Sequence, residues 1–543
     1  MTNFANLNSK IYIFLFGTAV PIFTMSHMVN LDFWIIDDHN IFGMIGPDGV
    51  LTFKELTAYL ISHSDYAFGE TPRFRPWLFP AIGIEVFMFG DNIWGYYYNR
   101  LFVFVAFCIC SALFIFRMSG HSLLFTLFYI LFYCASNLWT DIFLRIITSE
   151  FYCIFFLLFA LAIFETFQSL SPEYKKRLFF FFLMAFSFLI FVSTGMKENL
   201  LAIAIFPIVT IFTFRDHFAE LGRIKKVILV IFCCLPFGLW FAQSMIIFSF
   251  FVNSDTTSGF FGTHDFLISF IKSLWVLFIE YCVVVFYLFV LFVRKSEKKY
   301  FATRVKKSQE FHFYTSALVL LLLYQIIFYS GVLRPESRYW FISFLGLACF
   351  YAHCFKLVMP FWLKCDWKLL KTFGFLVFIT FSLIFTLQVL HNRSVVYAAV
   401  QRNGAFAEFL KDVGERLSLG KYEAVVVDSN NVWDYEGISS LFKYLRYRVL
   451  YSGPIFLKFE WSTVNDLSGT GANYGAGDIL AQRLVAVANG ELGRSILGWS
   501  PSHSDWGFAH PDDFDELARC LSLRFDEKYL ETTCNDSIVV PYR

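Results

Sequence analysis

The chain has almost no net charge. Its 44 Lys and Arg against 43 Asp and Glu leave +1 at pH 7, so no overall positive field draws nucleic acid, and any electrostatic role has to be local. A disulfide framework is missing too. Most of the 12 cysteines, among them Cys108, Cys233, Cys234 and Cys282, lie inside apolar runs, where a thiol is a small buried hydrophobe. The first apolar run, after Lys10, is too long for the core of a signal peptide and lacks a small-x-small cleavage site, so it reads as an uncleaved anchor. No internal repeat emerges. The glycine-rich stretch 469–477 lacks the Gly-Lys-Ser/Thr ending and the leading strand of a phosphate loop, and reads as a loop before Asp478. His503, Asp505 and His510 match no strong metal-ligand spacing.

What the chain has in quantity is apolar length. It is 57% hydrophobic and 21% aromatic, with 74 Phe among 543 residues, and its mean hydropathy is +0.58. That composition belongs to a protein crossing a membrane several times. Runs long enough to span, or nearly so, fall at about 11–29, 94–116, 122–140, 148–167, 178–194, 199–214, 227–250, 267–293, 313–333, 339–356 and 372–390. The first, from Ile11 to about Met28, makes a helix of roughly 27 Å, enough for the hydrocarbon layer. Lys and Arg gather in alternate connections: Lys10; Arg117; Lys175, Lys176 and Arg177; Arg215, Arg223, Lys225 and Lys226; the stretch from Arg294 to Lys307; and Lys356, Lys364, Lys368 and Lys371. By the positive-inside rule the N-terminus is cytoplasmic, and an odd number of spans puts the C-terminal region outside. The expected fold is an α-helical polytopic membrane protein of about eleven transmembrane helices, residues 1–390, followed by a C-terminal extracytoplasmic α/β domain, residues 391–543.

The chemistry centres on Asp37 and Asp38, adjacent carboxylates just past the first span and on the outer side. Such a pair suits a solvated loop end, a metal site, or a general base facing a lipid-borne substrate. The outer loop that carries them, about 30–93, has structure of its own. After the turn Gly46-Pro47-Asp48-Gly49, Thr52 and Glu55 have the spacing of a capping box. Phe53, Leu56, Tyr59, Leu60 and His63 then recur at helical spacing, as on a helix lying at the membrane surface. Arg73 and Arg75 follow in a proline-rich, aromatic stretch that resists a continuous helix. Further ionisable residues fall on the same side: Asp141, Arg145 and Glu150; Lys197 and Glu198; Arg334, Glu336 and Arg338. At a membrane boundary such groups face water, pair with one another, or line a site.

From about residue 391 the Phe-rich runs stop and Gly, Asp, Asn and Ser become common. Phe406, Phe409, Leu410, Val413 and Leu417 mark an amphipathic helix, Ala424 to Val427 a strand ending at Asp428, Leu441, Phe442 and Leu445 a second helix, and Arg448 to Tyr451 another strand. Strand, helix, strand predicts a βαβ unit, with Asp428 at the strand end where ligands of open sheets bind or as a turn or capping residue. Cys520 and Cys534 are the two cysteines of this region, open to pairing in an oxidising compartment.

Four features taken together resemble the GT-C class of membrane glycosyltransferases, specifically the lipid-linked-sugar enzymes related to protein O-mannosyltransferases and aminoarabinose transferases. Asp37-Asp38 after the first span resembles the family's acidic pair, with Asp in place of Glu at the second position. Arg75-Pro76-Trp77-Leu78-Phe79-Pro80, Phe89-Gly90 and Asn99-Arg100-Leu101 resemble its basic-Pro-Pro-Leu, Phe-Gly and Arg-Leu series, with Trp77 for the second Pro. Thr194-Gly195-Met196-Lys197-Glu198-Asn199 resembles its Thr-Lys-Gly stretch, with Lys197 displaced by two residues. Arg338-Tyr339-Trp340 resembles the Arg-Tyr pair opening a late span. The likeness covers roughly residues 10–356.

The resemblance implies transfer of a sugar from a polyprenyl-phosphate donor to a glycan, lipid or protein acceptor of the cell envelope, on the outer face of what would be a bacterial inner membrane, with inversion. It assigns the general base to Asp37, with Asp38 as second candidate or orienter. The departing lipid phosphate falls to Arg338, Arg334, Lys197 and Arg75, with Arg73, Glu198 and Tyr339 as further substrate contacts. No cofactor and no essential metal is expected, because several cations can supply the charge stabilisation. Three other readings stand beside it: a transporter or flippase of a lipid-linked saccharide, which would carry broken helices or inverted repeats near the midplane; a surface-polysaccharide polymerase or ligase; and a non-catalytic assembly protein.

Overall fold

In the computed structural model the described residues are 2–33, 38, 40–62, 75–197, 201–253, 344, 348, 351–352, 355–356, 368–420, 422, 424–429, 435–453, 455–459, 496–500, 505–508, 520–526 and 537–541. The helical elements are α1 (Thr2–Met25), α2 (Asn40–Ile45), α3 (Phe53–Ser62), α4 (Leu78–Phe89), α5 (Ile93–Met118), α6 (Leu123–Ala135), α7 (Leu138–Phe143), α8 (Ser149–Ser169), α9 (Pro172–Thr194), α10 (Leu201–Ala204), α11 (Phe206–Thr213), α12 (Arg215–Ala219), α13 (Arg223–Asn253), α14 (Lys368–Ser418) and α15 (Tyr435–Tyr447). Among the described residues six helical stretches are long and apolar enough to cross a membrane: Leu7–Asn30, Ile93–Met118, Ser149–Ser169, Pro172–Thr194, Arg223–Ile246 and Gly374–Ser418. The protein is an integral, multi-pass membrane protein.

Two expected spans differ in form. The run at 122–140 is α6 and α7, parted where Ser136 turns extended. The 13 residues of α6 reach about 20 Å, short of the roughly 30 Å hydrocarbon layer. The run at 199–214 is broken into α10 and α11, with a proline in the first turn of α11, where its missing N–H costs no helical bond. The runs at 267–293 and 313–333, and most of 339–356, lie outside the described residues.

The packed core is formed chiefly by α1, α5, α6, α7, α8 and α9, and it is aromatic. Phe104, Phe107, Tyr133, Trp139 and Phe143 form a contiguous set of tilted and edge-on rings. Side chains at Tyr96, Tyr97, Arg100, Val103, Phe104 and Phe107 of α5 are all buried, the spacing of one helix face. Arg100 therefore belongs to the core side of its helix. The opposite end of the bundle gathers basic residues. Burial, then Arg117, Lys10 and Lys356, push the pKa of His121 down, so three of the cations on which the positive-inside assignment rests meet at one place.

The loop after the first span follows the capping expectation closely. Thr52 N–H donates to Glu55 Oε2 at 2.8 Å and Glu55 N–H donates to Thr52 Oγ1 at 3.3 Å. The Thr52 hydroxyl also donates to Glu55 Oε2 at 2.7 Å, and this bond, then the one from the Thr52 N–H, lowers the pKa of Glu55. Leu56 is buried and stands with Tyr59 against Gly83 of α4, so α3 lies on α4. His63 is outside the described residues. The chain reverses between α4 and α5 at Gly90, whose φ is +54°. A Cβ there would stand 2.6 Å from the Gly49 carbonyl oxygen, so the close approach of the two turns requires glycine.

Helix α14 runs for 51 residues without a break, across the change of composition at 391. Its earlier part exposes Phe375, Leu376, Ile379 and Leu383. From Val389 onward a buried stripe continues through Asn392, Val396, Ala399, Asn403, Phe406, Leu410, Val413 and Leu417, at alternating intervals of four and three that keep one face inward. Beyond it, strands β1 (Ala424–Ser429), β2 (Ile455–Phe459), β3 (Ile496–Ser500), β4 (Asp505–Phe508), β5 (Cys520–Asp526) and β6 (Ser537–Pro541) form a sheet in the order β4-β3-β2-β1-β5-β6. β1 is parallel to β2 and β5, and β6 parallel to β5, while β3 and β4 form an antiparallel edge. β1, α15 and β2 make a βαβ unit.

One strand is misplaced by the sequence pattern. Residues 448–451 are not extended pairing strand but the turn that closes α15, with Arg448 and Val449 N–H donating to the Tyr444 carbonyl and Tyr451 N–H to that of Leu445. Leu450 takes a left-handed φ of 53°, and the strand that pairs with β1 is Ile455–Phe459. Asp428 lies in register with Lys458 on one side and Arg524 on the other. Cys534, His503, His510 and the glycine-rich stretch fall outside the described residues.

Candidate active site

At the end of the bundle opposite the basic cluster, the short connection between α7 and α8, residues 144–148, is gripped from several directions. Asp38 is fully buried, and its Oδ1 accepts from the backbone N–H of Ile146 at 2.8 Å and of Ile147 at 2.9 Å. Its carbonyl accepts from Ile41 N–H at 3.0 Å, which leads the chain into α2. Bonds of this kind to an ionised carboxylate are about twice as strong as neutral ones.

Arg100 holds the carbonyls of the same connection. Its Nε donates to the Arg145 carbonyl at 3.2 Å and its Nη2 donates to that of Ile146. The guanidinium also takes Glu85 of α4 in a two-pronged grip, at 2.7 and 3.1 Å, and lies over the Phe151 ring at 4.1 Å. Glu85 accepts further bonds from Asn99 Nδ2 at 3.0 Å and from the Tyr152 hydroxyl at 2.5 Å. Buried charge is tolerated only where partners replace water, and here each carboxylate oxygen has at least two.

Alongside, Lys197 is ion-paired with Glu150, whose Oε2 also accepts from Ser149 Oγ at 3.0 Å. Both charged side chains are almost completely buried. Glu150 sits in the first turn of α8, where the helix dipole favours a negative charge. Lys197 follows the end of α9, and the turn between them brings in the proline-rich stretch. Trp77 N–H donates to the Gly195 carbonyl at 3.4 Å, and the Trp77 indole packs so closely on Gly195 that a Cβ there would overlap it. Just before the acidic pair, Asp32 is half-buried. Burial raises its pKa, partly offset by the Phe33 N–H that it accepts at 2.9 Å.

Of the residues given a catalytic or substrate-contact role from sequence, three lie among the described ones. Asp38 is joined to the 146–147 backbone, Lys197 to Glu150, and Arg75 is half-buried beside Trp77, its carbonyl accepting from Leu78 N–H at 3.2 Å. Asp37, Arg73, Glu198, Arg334, Arg338 and Tyr339 fall outside the described residues. The sequence reading missed Glu85 and Tyr152. Glu85 carried a signal all the same: it is the one ionisable residue in the otherwise apolar Leu78–Phe89 segment, and an acid there has to be matched by a buried partner. Among the described residues no group of three or more His, Cys, Asp or Glu is arranged to hold a metal ion.

No protein-family model matches the chain, and no curated protein matches it. Among solved structures the fold is similar to the crystal structure of ArnT from Cupriavidus metallidurans bound to undecaprenyl phosphate, at 10% identity over 84% of this chain and 95% of that one, with a TM-score of 0.43. It is similar also to the same protein in the apo state, at 11% identity over 84% and 94% of the two chains, with a TM-score of 0.40. These structural neighbours are aminoarabinose transferases of the GT-C class.

Proposed function

We propose that this protein is a GT-C-type glycosyltransferase that moves a sugar from a polyprenyl-phosphate donor to a glycan, lipid or protein acceptor of the cell envelope, on the outer side of the membrane. The observation that carries the reading is convergence. The stretches at 38, 99–100 and 194–197, far apart in sequence and each part of the resemblance, meet at residues 144–150 through Asp38 with Ile146 and Ile147, Arg100 with Arg145 and Ile146, and Lys197 with Glu150, and the stretch at 75–77 joins them through Trp77 with Gly195. A set of unrelated surface pairs would have no reason to share one connection.

In the reaction proposed, the acceptor hydroxyl oxygen attacks the anomeric carbon and the bond from that carbon to the phosphate oxygen breaks on the far side, which inverts the configuration. Asp37 takes the hydroxyl proton. Asp38, tied to the backbone of 146–147, orients the acidic loop. The bond electrons leave with the lipid phosphate, stabilised by the cations at 338, 334, 197 and 75, and no metal is required. Residues 391–543 form the extracytoplasmic domain in this scheme, with the N-terminus in the cytoplasm.

The test is transfer from a polyprenyl-phosphate sugar by purified protein in lipid nanodiscs, with and without a chelator. Asp37→Asn keeps size but cannot take the proton, so turnover is expected to fall at least ~10²-fold, the lower end for general-base catalysis. Loss confined to Asp38→Asn would move the base by one residue, and near-normal transfer by both variants would end the mechanism. The transporter alternative retains one observation, the breaking of 199–214 into α10 and α11. Movement of the lipid-linked sugar across a vesicle membrane with no new glycosidic bond would favour it.

A further inference from the structure

The acidic loop is held at a second point, far along the chain. Arg448, in the turn that closes α15, donates through Nη1 to the carbonyls of Gly46 (3.2 Å) and Pro47 (3.3 Å), and through Nη2 to Asp91 Oδ2 at 3.0 Å. Its guanidinium also lies 5.9 Å from the centre of the Phe42 ring. One turn earlier Tyr444 packs edge-on against Phe42 at 5.7 Å, and on its other side meets Gly414 of α14, while Tyr447 lies against Gly43. Helix α15 is thus wedged between α14 and α2, the six-residue helix that begins two residues after Asp38. The ion pair with Asp91 is half-exposed on the acid's side and by itself contributes little. What sets Arg448 apart is that one rigid fork ties the Gly46-Pro47 turn, the α4–α5 turn and the C-terminal unit together.

We infer that Arg448 is a positioning residue, through which the C-terminal unit holds the loop carrying the acidic pair in its working place. The inference deepens the glycosyltransferase reading and rests on it for the catalytic consequence. Asp38 fixes the start of the loop and Arg448 its end, so α2 between them has no slack. Freed at the Arg448 end, the loop keeps its buried anchor at Asp38 and the protein keeps its core, but α2 and the Gly46-Pro47 turn sample a wider range of positions against that anchor.

The experiment compares full-length wild type, Arg448→Gln, Arg448→Lys, Asp91→Asn and the double variant Arg448→Gln/Asp91→Asn in nanodiscs. Amide hydrogen exchange is read at residues 41–49 and transfer kinetics with a polyprenyl-phosphate sugar are read in parallel. In Arg448→Gln the amides of 41–46 are expected to exchange about tenfold faster, which is what losing one charge-assisted hydrogen bond is worth. Amides of α5 and α8 should be unchanged, which shows that the core remains folded. The kcat is expected to fall about tenfold with the KM for the donor unchanged, because the donor's contacts are intact and only the segment that follows the acids has loosened. Arg448→Lys should restore part of both effects, and the double variant should exchange no faster than Arg448→Gln. Unchanged exchange at 41–46 in Arg448→Gln overturns the inference, and so does faster exchange with an unchanged kcat. A wild type that transfers nothing would remove the glycosyltransferase reading and the catalytic half of the inference with it, while the exchange result would still decide whether Arg448 holds the loop.

Discussion

The loop from Asp38 to Gly49 has an inner and an outer anchor, and the two are built on different physics. The inner one is dry. Asp38 and Arg100 are fully buried, and the segment they grip is backed by Glu85 and Tyr152. The outer one is wet: the Arg448 side chain is 24% exposed and its partner Asp91 50%. A charge-assisted bond in a site without water resists both salt and competing hydrogen bonds, while a rim pair is screened within roughly 10 Å at 0.1 M salt. The inner anchor therefore fixes Asp38, and the outer anchor sets how freely α2 and the Gly46-Pro47 turn move.

Breaking the dry anchor should do the most damage. Arg100→Gln strips the buried Glu85 of its countercharge and releases the carbonyls of 145 and 146, a change expected to cost about 3–5 kcal/mol. The check is thermal unfolding of the purified protein in detergent. Glu85→Gln/Arg100→Gln should be less damaging than the sum of the single variants, since no uncompensated charge is left. Additive losses would show that the two side chains act separately, and the dry anchor would lose its meaning as a unit.

Asp38→Asn sharpens the comparison at the point where the anchors meet. An asparagine oxygen can still accept from Ile146 and Ile147, but without charge, and the loss should be about 1 kcal/mol per bond. The fold should survive while the loop loosens at its buried end. If Asp38→Asn leaves exchange at residues 146 and 147 as slow as in wild type, the charge on Asp38 is not what holds the connection. Gly195→Ala touches neither anchor directly. Its methyl group would drive Trp77 off the α9 turn, at about 1–3 kcal/mol for overpacking, and should disturb the fluorescence of Trp77 and the neighbouring Lys197–Glu150 pair.

How much of this was readable beforehand differs by region for a physical reason. The capping box at Thr52 and Glu55 was legible because its spacing and its bonds are both local. The membrane-crossing helices were legible from apolar length. The alternative use of 448–451 was not: Arg-Val-Leu-Tyr has the composition of a strand, and only the contact of Arg448 with Gly46, some four hundred residues away, shows why the chain turns there instead. Arg100 stands out in the sequence as part of a motif and its partner Glu85 does not, because a lone acid in an apolar helix shows its meaning only once the partner's position is known. The break at 136–137 was hidden for the same reason. Asn137 is held by Gln388 of α14 at 2.7 Å, a contact no local pattern contains.

The smallest expected effect lies at Asp32, on the strand of chain leading to the inner anchor. Burial raises its pKa above the ordinary 3.8, and the bond from Phe33 N–H only partly offsets this. The folded protein therefore binds that proton more tightly than the unfolded chain does, and protonation at Asp32 stabilises the fold. That contribution is complete below the ordinary carboxyl value and is lost as pH rises through the raised one. Above it, the ionised group is a burden the fold carries. Asp32→Asn keeps an oxygen for Phe33 and leaves the backbone carbonyl that accepts from the Tyr97 hydroxyl at 3.2 Å, but it never ionises. Its unfolding temperature should thus exceed that of wild type near neutral pH, and the gap should close as the pH falls toward 4. A gap that stays constant with pH would mean that Asp32 titrates as it does in the unfolded chain. A wild type more stable than the variant at neutral pH would show that the charge is wanted, and would move Asp32 from the approach to the site into the site itself.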